Sequence, residues 1–97
     1  MPTTVTLMIF SGRPDPTWIL AAGDAATLAE RLAGFASAPE IGSLGYRGFR
    51  VQSTDPGMPS DVIIRSAPEI ERLLLATGAA VVPRELRDMV EGAIEKG

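Results

Sequence analysis

The chain has 97 residues, 45% of them hydrophobic and 22% charged, which supplies one hydrophobic core and excludes a second domain, so residues 1–97 are read as a single unit. With no Cys and no His, disulfides, Cys/His zinc sites, thiol nucleophiles and Ser-His-Asp chemistry are excluded. Nine Lys plus Arg against twelve Asp plus Glu leave a net charge of −3, the wrong sign for a dedicated nucleic-acid binder.

From the N-terminus, Thr3 to Phe10 alternates with a period of two, setting Val5, Leu7 and Ile9 against Thr4, Thr6 and Met8, and predicts a strand. Ser11-Gly12 followed by Pro14 and Pro16 ends it, and Thr17 to Leu20 reads as a second, short strand with Trp18 and Leu20 on one side. Asp24 is the expected N-cap of a helix running to about Ala36, with Leu28, Leu32 and Phe35 as its buried stripe. A loop through Pro39, Gly42 and Gly45 leads to a strand from about Tyr46 to Gln52. Strict alternation there puts Arg47, Phe49 and Val51 on one face and Tyr46, Gly48 and Arg50 on the other. The turn-rich run Asp55-Pro56-Gly57-Met58-Pro59 connects this strand to another over Asp61–Arg65, a hairpin with a long loop. Ser66-Ala67-Pro68-Glu69 has the S-x-x-E form of a capping box. It opens a helix with Ile70, Leu73, Leu74 and Thr77 at helical spacing and Gly78 as its left-handed stop. Pro83 begins a last helix whose apolar face is Leu86, Met89, Val90, Ala93 and Ile94, with Arg84–Asp88 and Arg87–Glu91 as pairs on its wet side. The expected fold is α+β: a small antiparallel or mixed sheet of three to four strands with three helices mainly on one face.

Two stretches carry candidate binding residues. In Ser11-Gly12-Arg13-Pro14-Asp15-Pro16-Thr17-Trp18, each proline holds the residue before it extended, so Arg13 and Asp15 are presented on stiff backbone. A rigid Arg suits a bidentate contact with a carboxylate or phosphate, on a protein partner or a small anionic ligand. The competing reading pairs Arg13 with Asp15, or with an acid on a helix, and gives the prolines a chain reversal to fix. In Gly42-Ser43-Leu44-Gly45-Tyr46-Arg47-Gly48-Phe49-Arg50, the glycine spacing lacks the nucleotide-binding pattern and its Lys-Ser/Thr pair. Tyr46, Arg47 and Arg50 interleave aromatic and basic groups, a pattern also produced by arginines snorkelling at the rim of a core that holds Phe49 and Val51. The candidate binding residues are therefore Ser11, Arg13, Asp15, Trp18, Tyr46, Arg47 and Arg50.

Ser11, Asp15, Tyr46 and the arginines are the kinds of group that keto–enol isomerisation uses, but their spacing does not demand it. Asp61 reads as a turn residue, and Glu69 and Glu71 as a helix start, one capping and one solvated. No catalytic set is identified, and no cofactor and no metal are expected.

The first of these stretches together with Leu44-Gly45-Tyr46-Arg47-Gly48-Phe49-Arg50-Val51 resembles an uncharacterised group of short bacterial proteins carrying SGRPNP-x-W-like and LGYRGF-like motifs. The resemblance covers about half the chain, and this sequence has Asp15 where that group favours Asn. It implies that the two motifs belong together in space. Arg13, Trp18 and Tyr46 then form one surface or pocket, or a structural clasp with Trp18 stacked under an arginine.

The function expected is that of a non-catalytic accessory or protein-interaction domain, a small subunit of a larger complex or a homo-oligomer. Met8, Phe10, Ile63 and the last helix are its spare apolar surface. The alternative is a small-ligand-binding protein or unrecognised enzyme with a site between the two motifs. The N-terminal residues lack the positive region of a signal peptide and no apolar run is of spanning length, which predicts a cytoplasmic protein without a membrane partner.

Overall fold

Alternation in the N-terminal segment produces the strand it predicts, and that strand becomes an inner member of the sheet. The computed structural model describes residues 3–9, 15–39 and 45–96. Its elements are β1 (Thr3–Leu7), β2 (Thr17–Ile19), α1 (Ala22–Arg31), β3 (Phe49–Ser53), β4 (Asp61–Ile64), α2 (Pro68–Thr77) and α3 (Arg84–Lys96). The strands form one antiparallel sheet in the order β2-β1-β3-β4, with Val5 opposite both Trp18 and Val51, and Val51 opposite Val62. The α+β class is as expected.

That register stacks Val5, Leu7, Trp18, Leu20, Phe49, Val51, Val62 and Ile64 on one face, in one core with Leu28 and Leu32, Ile70, Leu74 and Leu75, and Val90 and Ile94 from the helical segments. Burying such side chains stabilises by about 1.5–3 kcal/mol each. Thr4, Thr6, Thr17, Ile19, Arg50, Gln52, Asp61 and Ile63 alternate onto the other face.

Helix starts depart from expectation for local reasons. α1 begins at Ala22 with Ala21 as N-cap and no side-chain cap, so Asp24 is a first-turn acid favoured by the helix dipole and not the cap. The helix ends at Arg31, short of Ala36, in a turn that brings Gly34 to φ 77°. At α2 the Ser66 capping box does not form. A residue before proline is kept out of the helical region, so Ala67 becomes the N-cap and Pro68 the first helical residue. The reciprocal contact moves with it: Glu71, not Glu69, returns its Oε2 to the Ala67 N–H at 3.1 Å, while the Glu71 N–H donates to Ala67 O at 2.9 Å. Glu71 is thus buried rather than solvated, and Glu69 reaches out to Arg31 at 3.7 Å.

Gly78 ends α2 with φ −94°, so it is not a left-handed stop. It is glycine because a Cβ there would lie 2.5 Å from Cζ2 of Trp18. The spare apolar surface matches expectation only on the last helix, which holds Met89. Met8 and Ile63 are buried, whereas Ile19, Val81 and Met89 are exposed. Phe10 lies outside the described residues. Arg84–Asp88 and Arg87–Glu91 are not among the ion pairs of the described residues. Among those residues no helix is long and apolar enough to cross a membrane.

Candidate functional site

The second motif does not continue β3 as a regular strand. Regular pairing would have Met8 exchange both backbone bonds with Gly48. Instead Met8 donates to Gly48 O at 3.0 Å and accepts from the Arg47 N–H at 2.8 Å, so two residues face one: a β-bulge. Gly48 is required for it, having φ 99° and a position where a Cβ would lie 2.5 Å from Ile64 O.

The extra residue resets the alternation and reverses the expected facing of this motif. Tyr46 turns inward beside Phe49, with ring centroids 5.8 Å apart in an edge-on arrangement. Arg47, which strict alternation puts on the face of Phe49 and Val51, lies at the rim as in the snorkelling reading, its Nη2 3.8 Å from Oδ2 of Asp15. The other carboxylate oxygen of Asp15 accepts the Ile9 N–H at 3.1 Å. One residue from each motif is thereby held at the end of the β1–β3 ladder.

Among the described residues no arginine is stacked on Trp18. Its ring packs edge-on to Phe49 at 6.4 Å and against Gly78, and its indole N–H donates to Thr77 Oγ1 at 2.9 Å. The Thr77 hydroxyl donates in turn to Leu74 O at 2.6 Å. Tyr46 and Trp18 thus share Phe49 as a common neighbour. Arg50 stands apart on the outer sheet face, gripping Asp61 with Nε to Oδ1 at 3.0 Å and Nη2 to Oδ2 at 2.6 Å. Those bonds hold the Asp61 carboxyl below the usual carboxylate range. Ser11 and Arg13 lie outside the described residues.

Sequence reasoning missed Glu71, whose side chain joins Tyr46 to α2. The Tyr46 hydroxyl donates to Glu71 Oε1 at 2.6 Å while Oε2 holds the Ala67 N–H. Burial, then the bond to Glu71 and its charge, push the Tyr46 phenol far above its ordinary value, with Arg65 opposing, so the phenol stays protonated and donates. The signal available was Pro68: placed as the first helical residue, it puts Glu71 one turn on, facing back over the helix start. Beside this pair is a cleft of about 200 Å³ lined by Tyr46, Arg65, Ser66, Glu71, Ala93 and Ile94. Among the described residues, no group of three or more Asp or Glu is placed to hold a metal ion.

The two edges of the sheet differ. Along β4, Ala38 donates its N–H to Ile63 O and Ile63 donates its own to Ser37 Oγ, both at 2.9 Å, so the segment around 37–38 covers the edge. Along β2, no described residue bonds to the outward backbone groups of Thr17 and Ile19, and Ile19 is 68% exposed. No family model matches this chain, and no curated protein or solved structure matches it either.

Proposed function

We propose that the protein is a non-catalytic interaction domain, a small accessory subunit that takes up an extended segment of a protein partner along the open side of β2. The observation that carries this reading is the unequal treatment of the two sheet edges. One edge is covered by the segment around 37–38, while the described residues leave the other open beside an exposed Ile19. An unpaired edge offers backbone donors and acceptors, and strand addition uses them for affinity while side-chain contacts supply selectivity. The two motifs support the edge: Asp15 and the Arg47–Gly48 bulge anchor the chain just before β2, and Trp18 fixes β2 to α2. The rigid recognition loop read from the sequence over Ser11 to Pro16 directly precedes the docking strand along the chain, and this role and the cytoplasmic location read from the sequence belong to the same proposal.

The test is affinity capture of the tagged full chain from its native lysate, with Ile19→Lys and Arg13→Ala run beside wild type. The expected result is a stoichiometric protein that Ile19→Lys loses while keeping the near-ultraviolet circular dichroism of Trp18. Loss in Arg13→Ala as well assigns the loop to the contact. Retention of the same partner by Ile19→Lys, or recovery of the wild-type chain alone, overturns the reading.

A further inference from the structure

Two features that are single among the described residues meet in one place. Glu71 is the only charged residue that is buried, 2% exposed, and Ser66 is the only non-glycine residue with positive φ, at 59°. Both line the cleft of about 200 Å³ between the second motif, the start of α2 and the end of α3. A left-handed serine is strained, and such strain concentrates at ligand sites. A buried carboxylate is costly unless its charge is answered, and Glu71 has two hydrogen bonds but no cation within ion-pair distance among the described residues.

The chemistry of the walls defines what fits. A carboxylate accepts about four hydrogen bonds, so the Tyr46 hydroxyl and the Ala67 N–H leave Glu71 with about two unfilled positions. The Tyr46 oxygen, which donates to Glu71, keeps lone pairs, and the Ser66 hydroxyl adds another acceptor. That set calls for a group with several donors, such as an ammonium. Arg65 stands on the same cleft with one N–H given to Pro39 O at 3.0 Å, which leaves most of its fork for an anion. Its charge is felt at Tyr46. Ala93 and Ile94 supply an apolar patch, and the space is that of about six waters.

We infer that this cleft binds a small zwitterion of the α-amino-acid kind, its ammonium on Glu71, Tyr46 and Ser66 and its carboxylate on Arg65. The site is distinct from the β2 edge and does not depend on it.

The experiment is a titration of the full chain with L-alanine, ethylammonium chloride and sodium propionate in turn, followed by the amide chemical shifts of Ser66, Ala67, Ala93 and Ile94. L-Alanine is expected to shift these amides saturably and to bind about tenfold more tightly than either half-ligand, the weight of one charge-assisted contact. Arg65→Gln, a half-buried position whose change spares the core, is expected to reduce L-alanine to the level of ethylammonium and not to weaken ethylammonium. Absence of a saturable shift with all three compounds overturns the inference. So does equal binding of L-alanine by wild type and Arg65→Gln, or equal binding of ethylammonium and L-alanine by wild type.

Discussion

The Tyr46 hydroxyl stabilises the fold from the edge of the core, and its loss is measurable in two independent ways. Tyr46→Phe keeps the ring against Phe49 but leaves Glu71 Oε1 without its donor. An unsatisfied buried acceptor costs about 1–3 kcal/mol, and each kcal/mol moves the melting temperature of a domain this size by about 4–8 °C. The second readout is alkaline pH. Because the folded phenol titrates far above its ordinary value of about 10, the unfolded chain loses that proton first as pH rises. Stability is therefore complete below pH about 10 and falls above it, by about 1.4 kcal/mol for each further pH unit, until the folded phenol ionises. Urea unfolding at stepped pH above 10 is expected to show this slope in wild type and to lack the Tyr46 contribution in Tyr46→Phe. Asp61 behaves oppositely in sign. Its carboxyl is held low by Arg50, so its contribution is present above the ordinary carboxylate range and lost as pH falls through the lowered value. The pair is substantially exposed, so Asp61→Asn is expected to cost no more than about 1 kcal/mol at neutral pH.

At the scale of elements, legibility in the sequence divides by mechanism. β1, β2, the hairpin of β3 and β4, and all three helices follow from side-chain period, because burial of one face dictates it. The facing of Tyr46 and Arg47 does not, since one extra residue at Gly48 inverts everything before it and a period-two reading has no term for a bulge. The place of Glu71 was equally hidden, because S-x-x-E drew the cap to Ser66 while Pro68 moved the helix start by one residue. Glycine inside the strand pattern and proline just inside the helix were the two visible warnings. Two substitutions test these elements. Gly48→Ala adds a Cβ against Ile64 O at a left-handed φ and is expected to destabilise by at least about 1–3 kcal/mol, with amide exchange quickening first at Met8 and Arg47. Ala21→Ser places a cap oxygen on exposed, extended backbone (φ −64°, ψ 154°) where α1 has none, and is expected to stabilise by about 0.5–2 kcal/mol in urea unfolding.

For the molecule as a whole, the question is whether one core unfolds as one unit. Trp18 answers it well because a single side chain bridges three elements: it sits on β2, packs on Phe49 of β3 and bonds to Thr77 at the end of α2. The far-ultraviolet signal comes mainly from the three helices, including α3, which touches none of these residues' hydrogen bonds but buries Val90 and Ile94 in the same cluster. If burial in a shared core makes the domain cooperative, indole fluorescence and helical dichroism must follow one curve. Heat and urea transitions measured by both probes are expected to coincide, and Gly78→Ala, which drives a methyl group into the indole, is expected to shift both by the same amount. A helical signal that fades before the fluorescence changes would mean that α3 detaches first, opening the Tyr46–Glu71 cleft from its Ala93 and Ile94 side while the sheet survives.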